Sequence, residues 1–175
     1  TDDCLPKLQA LYPQFSKVAN VLETNLKNMN PIIHTPISLL NTGTIDNLTG
    51  KPFYYYRDGG TPRVCRVAEE VDRERVTICA ALGISTDTLL DQQIKMYGHA
   101  GYTGDSVYEA MKSSKTSASF AFDPADILYE VTREDIPFGL MPLTSLARQI
   151  GISTPTIDAM IHLQTLVSGE DFAAM

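Results

Sequence analysis

Basic residues and long apolar runs are both scarce in this chain. Lysine and arginine number 14 against 21 aspartates and glutamates, so the net charge is −7. An acidic surface argues against nucleic acid and anionic membrane as main partners. No apolar run approaches the roughly 20 residues that cross a bilayer, and the opening TDDCLPKLQ lacks the basic start and apolar block of a signal peptide. We therefore expect a cytoplasmic protein that binds neither membrane nor nucleic acid.

Cysteine is rare as well. The three cysteines, Cys4, Cys65 and Cys79, form no CxxC pair, which argues against a disulfide framework and against a zinc site. Cys65 and Cys79 lie fourteen positions apart within one predicted helix, so they cannot bridge each other there. We expect reduced, partly buried thiols and no metal site.

Strand signals are also few. The stretch PFYYYRDGG (52–60) is β-rich for only four residues and then turns, so we expect a short extended segment there. No βαβ pattern occurs, and no GxGxxG sequence follows a strand, which leaves no signal for a nucleotide-binding cradle. With 175 residues, the chain is long enough for one domain with a real core. The sequence predicts a single all-α domain.

Helix boundaries, by contrast, are clearly marked. Thr-Pro and Asp-Pro pairs are typical N-caps followed by first helical residues, and glycine often ends a helix. These signals and the apolar periodicity predict six helices, which are Phe15–Lys27, Pro62 to the stop at Gly83, Ser85–Tyr97, one from Asp123-Pro124, Leu143–Ile150, and one from Thr154-Pro155. The stretches GHAGYTGD and KSSKTSAS (112–119) have the composition of loops.

The stretch NPIIHTPISLLNTG (30–43) places a histidine, His34, inside an apolar run. Asn30-Pro31 can begin a helix, and Pro36 is expected to kink or restart it because proline lacks the N–H and its ring clashes with the preceding turn. A break beside His34 would suit a pocket. The alternative is a core histidine held by a backbone carbonyl, or an ordinary surface histidine.

A second candidate is Asp135 in TREDIPFGLMP (132–142). The proline and glycine that follow predict an irregular connection, so Asp135 should lie at the boundary of an element. Taken alone, it could be a helix cap or a solvated carboxylate. Next to His34 it would fix the imidazole tautomer and make a general acid/base that works near neutral pH. The two residues are 101 positions apart, so the sequence pattern by itself does not bring them together.

Three weaker candidates are more simply explained as surface residues. DRER (72–75) could clamp a carboxylate or phosphate, but a solvated helix face with local ion pairs is the simpler interpretation. His99 and His162 are more simply explained as an ordinary loop histidine and an ordinary helix histidine than as metal ligands.

Several longer stretches carry motifs that belong together. The stretches are VLETNLKNMNPIIHTPISLLNTGTID (21–46), FYYYRDGGTPRV (53–64), VDRERVTICAALG (71–83), TREDIPFGLMPLTSLARQIGISTP (132–155) and IHLQTLVSGEDF (161–172). Their specific signals are the Asn-x-Asn-Pro-x-x-His and Glu-Asp-Ile-Pro-x-Gly blocks. Together, in family order and over nearly the whole chain, these stretches resemble the helical C-terminal domain of the octopine/nopaline (opine) dehydrogenase family.

The resemblance implies a fold and a role for the chain. The fold would be that of the C-terminal domain of 6-phosphogluconate-dehydrogenase-like enzymes, with residues 1–175 forming the substrate and catalytic domain. NAD or NADP would bind mainly to an N-terminal Rossmann domain that this chain lacks, and the chain would be an isolated domain or a remnant of a longer enzyme. Its partners would be that Rossmann domain, an amino acid, a 2-oxo acid and, in a homodimer, a second copy.

The resemblance also implies a reaction and site residues. The amine of an amino acid attacks the carbonyl of a 2-oxo acid, water leaves, and hydride from the reduced nicotinamide attacks the imine. Carried over residue by residue, His34 is the general acid/base, Asp135 orients it, and Asn30 and Asn41 line the substrate pocket. The isolated domain is expected to be inactive.

One departure from the family pattern bears on the substrate. Family members often carry an arginine five residues before the dyad aspartate, where it can pair with a substrate carboxylate. Here that position is Glu130, and Arg133 has the wrong spacing. The departure leaves the carboxylate clamp unassigned. It also leaves open a different class of function, a non-catalytic helical binding or assembly module on the same scaffold.

Overall fold

The computed structural model describes residues 4–119, 121–122 and 131–174. The helix predicted from Asp123-Pro124 lies outside the described residues, and so does Glu130, which stands where family members often carry an arginine. The α-helices of the described part are α1 (Leu5–Leu11), α2 (Val21–Leu26), α3 (Asn30–Leu40), α4 (Thr42–Asp46), α5 (Pro62–Ala81), α6 (Leu89–Tyr97), α7 (Val107–Ser113), α8 (Lys115–Ser119), α9 (Met141–Gln149) and α10 (Pro155–Ser168).

The described part of the chain also contains π-helices and 3₁₀ turns. Two π-helices, Tyr55–Gly59 and Val131–Leu140, precede α5 and α9, and 3₁₀ turns occupy Gly98–Ala100 and Phe172–Ala174. The two strands described, β1 (Phe53–Tyr54) and β2 (Ala121–Phe122), pair antiparallel with Phe53 opposite Phe122. The prediction of an all-α fold is confirmed. None of the described helices is both long and apolar enough to cross a membrane.

The core is built around α3 and α5. Helix α3 packs against the π-helix Val131–Leu140, against α5 and against α10. Ile32 and Ile37 of α3 and Ile136 of the π-helix are fully buried, which removes their apolar area from water and holds these elements together. Thr61 caps α5 as predicted, its hydroxyl accepting from the Val64 N–H. Cys65 and Cys79 are both buried on α5 as free thiols, and burial raises the pKa of Cys65 to about 12.

Acidic side chains of α5 cap three other helices that lie far from them in the sequence. Glu69 accepts from the Val107 N–H at the start of α7 (2.9 Å), and Asp72 accepts from the Leu89 N–H at the start of α6 (2.7 Å). Glu74 accepts from the backbone N–H groups of residues 156 and 157, in the first turn of α10, at 2.8 and 2.9 Å. Each carboxylate meets the positive end of a helix dipole and satisfies orphan N–H donors. Helix α5 therefore fixes the positions of its neighbours.

The prediction that DRER is a solvated face is therefore wrong for three of its four residues. Asp72, Glu74 and Arg75 are buried, and only Arg73 points to solvent, where it pairs with Glu70. The local ion pair between Asp72 and Arg75 does form, but inside the protein. The spacing of the charges along α5 does not predict that the first turns of other helices pack against Asp72 and Glu74 and bury them.

Several predicted boundaries also differ from the structure. The helix predicted from Phe15 begins at Val21, because Asn20 caps it by accepting from the Glu23 N–H. The helix predicted from Ser85 begins at Leu89, because Thr88 caps it in the same way. The stretch 112–119, predicted to be a loop, contains the end of α7 and all of α8.

Helix α3 runs without interruption through Pro36, so the predicted restart at this proline does not occur. Residues on both sides of Pro36 are fully buried, and their packing offsets the cost of about 3 kcal/mol that an internal proline brings. A side chain from outside the helix also supports this turn, since the Tyr55 hydroxyl donates to the His34 carbonyl at 2.8 Å.

Candidate active site around His34 and Asp135

His34 and Asp135 lie together although 101 residues separate them. The His34 Nδ1 is 3.1 Å from the Asp135 Oδ2, within hydrogen-bond distance. The histidine side chain is 22% exposed and the aspartate side chain 7% exposed, so the carboxylate lies behind the ring, away from solvent. An ionised carboxylate only accepts, so Nδ1 carries the hydrogen and Nε2 keeps the lone pair.

The local packing explains why the two residues meet. Pro31 is three residues before His34 on α3, and Gly139 is four residues after Asp135 on the π-helix, so each pair shares a face of its own element. A Cβ on Gly139 would come within 2.6 Å of the Pro31 ring. The absence of a side chain at Gly139 therefore lets the π-helix approach α3 closely enough for the hydrogen bond.

Asp135 lies within the π-helix Val131–Leu140, and not at a boundary as the sequence predicted. The wider turn of a π-helix changes the direction of the side chains along it, and such turns are frequent at functional sites. The proline and glycine that predicted an irregular connection, Pro137 and Gly139, are accommodated within this element.

A cavity of about 330 Å³ opens beside His34, a volume sufficient for a small molecule. Its walls combine amide and hydroxyl groups with apolar and aromatic side chains. Besides His34, they consist of Lys27, Asn28, Met29, Asn30, Ile33, Tyr56, Leu89, Gln92, Gln93, Met96, Tyr97, Ala100, Tyr102, Thr116 and Ser117. The Gln93 side-chain oxygen is buried without a hydrogen-bond partner among the described residues. The mixture suits a ligand with polar and apolar parts.

Of the two predicted pocket amides, one lines this cavity. Asn30, at the start of α3, is part of the wall. Asn41 instead donates to the Ile37 carbonyl at 2.7 Å and to the Gly59 carbonyl at 3.1 Å, and it does not line the cavity. These contacts anchor the π-helix Tyr55–Gly59 to the end of α3. They give no support to a role for Asn41 in the substrate pocket.

The other candidates lie elsewhere. Arg75 donates to Asp72, to the Thr86 hydroxyl and to the carbonyls of Leu26 and Asp87, so its guanidinium serves the fold. Arg133 pairs with Glu170 at 2.8 Å. In the described part of the chain, no group of three or more His, Cys, Asp or Glu side chains is placed to hold a metal ion.

Sequence reasoning missed Tyr56. Its hydroxyl is 3.2 Å from the His34 Nε2, on the side of the ring opposite Asp135. Burial raises the pKa of Tyr56, and the neighbouring Tyr102, Tyr97 and Asp135 act in the same direction. The run of three tyrosines predicts a short extended segment. In the structure a π-helix follows Tyr54, and this turn brings the Tyr56 hydroxyl to His34. No local signal in the sequence indicates that contact.

Comparison with known proteins identifies the class to which this fold and site belong. The family model described as NAD/NADP octopine/nopaline dehydrogenase, alpha-helical domain, matches residues 17–168. The chain therefore belongs to the octopine/nopaline dehydrogenase family as its helical domain, and the resemblance seen in the sequence is confirmed.

Individual relatives agree with this assignment. An opine dehydrogenase of Arthrobacter sp. (strain 1C) is 33% identical over 168 residues, which are 96% of this chain and 45% of that protein. A vitopine synthase of Allorhizobium ampelinum is 23% identical over 98% of this chain and 46% of its own length. The chain thus spans about half the length of the curated relatives it matches.

A solved structure shares the fold. Octopine dehydrogenase with NADH and L-arginine superimposes with a TM-score of 0.76 at 19% identity, covering 97% of this chain and 46% of the other. A second structure of that enzyme, with NADH and agmatine, gives a TM-score of 0.74 at 18% identity, covering 95% of this chain and 46% of the other. At such identities the likeness shows the fold alone.

Proposed function

We propose that this chain is the substrate-binding and acid/base half of an NAD(P)-dependent opine-type dehydrogenase, which reductively condenses an amino acid with a 2-oxo acid. The observation that carries the proposal is the hydrogen bond of 3.1 Å between the His34 Nδ1 and the Asp135 Oδ2 at the wall of a cavity. The membership of the chain in the family supports the reaction class.

The chemistry of condensation requires proton transfers that this dyad can perform. An amino acid enters mainly as an ammonium, which must lose a proton before its nitrogen can attack a carbonyl. The His34 Nε2 carries a lone pair for that proton, and the Asp135 carboxylate stabilises the resulting imidazolium. The same proton returns to the hydroxyl of the carbinolamine, which leaves as water. One residue thus serves as base and then as acid.

The nicotinamide cofactor, NAD or NADP, would be held mainly by a Rossmann domain outside this chain and would supply the hydride. The described part of the chain does not fit a dinucleotide by itself. Its strands have two residues each, and β1 continues into a π-helix, without the glycine-rich turn and α-helix that bind a pyrophosphate. We assign no step with the cofactor to residues of this chain.

The cavity walls suggest which residues hold the substrates. Asn30 can bond polar groups of the amino acid. Lys27, which also lines the cavity and pairs with Glu23 at 2.6 Å, brings a positive charge that suits a substrate carboxylate. A homodimer and a cytoplasmic location stay predictions.

An activity screen of the complete enzyme that contains this chain tests the proposal. Individual amino acids are paired with pyruvate or 2-oxoglutarate, and oxidation of NADH and of NADPH is followed at 340 nm. Turnover is expected only when both an amino acid and an oxo acid are present, and the product should be a secondary amine that carries the carboxylates of both substrates and is detectable by mass spectrometry. Absence of turnover with every pair would refute the proposed reaction.

A further inference from the structure

The Tyr56 hydroxyl covers the nitrogen of His34 that the proposed reaction needs. Because Nδ1–H donates to Asp135, Nε2 is the acceptor, and the Tyr56 O–H lies 3.2 Å from it and donates to it. Tyr56 also lines the cavity. A proton that travels from a bound substrate to Nε2 therefore meets this hydroxyl first.

The segment that carries Tyr56 is held firmly against α3. The preceding residue, Tyr55, donates its hydroxyl to the His34 carbonyl at 2.8 Å and lies 2.9 Å from the Ser38 hydroxyl. On the other side, a Cβ on Gly60 would come within 2.5 Å of the Tyr56 carbonyl, so the backbone there is closely packed. The hydroxyl of Tyr56 is thus positioned by the fold, as an oriented catalytic group must be.

Building on the proposed function, we propose that Tyr56 is a further catalytic residue, whose hydroxyl relays the proton between the substrate and the His34 Nε2. In the first transfer the N–H bond of the substrate ammonium breaks as a new O–H bond forms on Tyr56. In the same step the original O–H bond breaks and Nε2–H forms. One proton moves from ammonium to imidazole, and tyrosine is neutral before and after. The reverse relay delivers the proton to the carbinolamine hydroxyl, which leaves as water.

The environment of Tyr56 favours a concerted relay over a tyrosinate intermediate. Burial raises the pKa of Tyr56, so its phenol stays protonated at neutral pH. The phenol is then always a donor to neutral Nε2, and it gives up its own proton only when it receives another.

Removal of the hydroxyl in the complete enzyme tests the relay. Tyr56→Phe should lower kcat by roughly the 10²–10⁴-fold that acid/base groups contribute, with a nearly unchanged melting temperature. Tyr54→Phe is the matched control, because it removes the same atom two residues earlier in the same run, outside the cavity lining, and should leave kcat within twofold. When kcat is measured in mixtures of H₂O and D₂O, the solvent isotope effect should fit two protons transferred in the rate-limiting step of the wild type and one in that of Tyr56→Phe.

The outcomes separate the relay from the reaction itself. If the wild type turns over, His34→Ala loses activity and Tyr56→Phe keeps kcat within about threefold, the relay is wrong and the proposed function stands. If no amino acid and oxo acid pair is turned over by the wild type, both are wrong.

Should Tyr56→Phe fold poorly, 3-fluorotyrosine at position 56 changes the acidity of the hydroxyl with little change of shape. A relay requires kcat to change with that substitution, and an unchanged kcat would overturn it.

Discussion

At the scale of the residue, Arg75 is notable because its charged guanidinium is buried. Its side chain is 0% exposed, and its guanidinium donates to Asp72, to a threonine hydroxyl and to two backbone carbonyls. Burial of a guanidinium is tolerated only when such partners offset its lost hydration. Because α2, α5 and the loop before α6 all contribute acceptors, Arg75 joins three parts of the chain.

Arg75→Met should therefore destabilise the protein by about 3–5 kcal/mol, since the Asp72 carboxylate is left buried without its partner. Arg73→Met, two residues earlier, is the matched control. That side chain is 68% exposed and pairs with Glu70 at the surface, so its loss should change stability by no more than about 0.5 kcal/mol. Urea unfolding followed by circular dichroism measures both. Equal effects of the two substitutions would contradict the buried role of Arg75.

At the scale of the element, the approach of the π-helix Val131–Leu140 to α3 sets the site. Gly139→Ala would place a methyl group within 2.6 Å of the Pro31 ring, and the two elements must then separate. We expect a loss of about 1–3 kcal/mol of stability. We also expect a fall of up to about 10²-fold in kcat per folded molecule, because the histidine and aspartate move apart.

Gly43→Ala is the control for this substitution. Gly43 lies within α4, and an added Cβ there would meet nothing within 4 Å. Because alanine has the higher helix propensity, the variant should be as stable as the wild type or more so. Thermal unfolding and kcat, measured on both variants of the complete enzyme, are the readouts. A Gly139→Ala enzyme with normal stability and turnover would show that the close packing against Pro31 is unimportant.

The elements also show what could be predicted from the sequence. Helices α5 and α10 begin where the Thr61-Pro62 and Thr154-Pro155 pairs predict, because proline favours the first helical turn at both and Thr61 also caps α5 through its hydroxyl. The π-helices were not predicted, since the wider turn at Tyr55 depends on hydroxyl contacts to α3, 17 and 21 residues away. Local propensity carries no information about such contacts.

The candidate site divides in the same way. His34 and Asp135 were singled out by their motifs and by a family resemblance, and the structure places them in contact. Tyr56 was missed, because its contact with His34 needs both the π-helix and the packing against α3. Asn41 is a pocket residue only through the family resemblance, and at the end of α3 its amide donates to backbone carbonyls instead.

At the scale of the whole molecule, the chain spans about half of its curated relatives, 45% and 46% of their lengths. We expect it to bind nicotinamide cofactors only weakly by itself, because the described residues offer no strand, glycine turn and helix for the pyrophosphate. Titration calorimetry of this chain with NADH and NADPH tests that expectation, with the complete enzyme as the positive control. Micromolar affinity of the chain alone for either cofactor would contradict it.

The central claim is that His34 and Asp135 act as one acid/base pair. Steady-state kinetics and thermal unfolding of His34→Ala, Asp135→Asn and the double variant of the complete enzyme test it most directly. The account predicts that His34→Ala lowers kcat by roughly 10²–10⁴-fold. It predicts a similarly severe loss for Asp135→Asn, no further loss in the double variant, and folding retained in all three. A His34→Ala enzyme that keeps more than about a tenth of wild-type turnover, well short of that effect, but melts at a lower temperature would contradict the claim and leave a purely structural histidine.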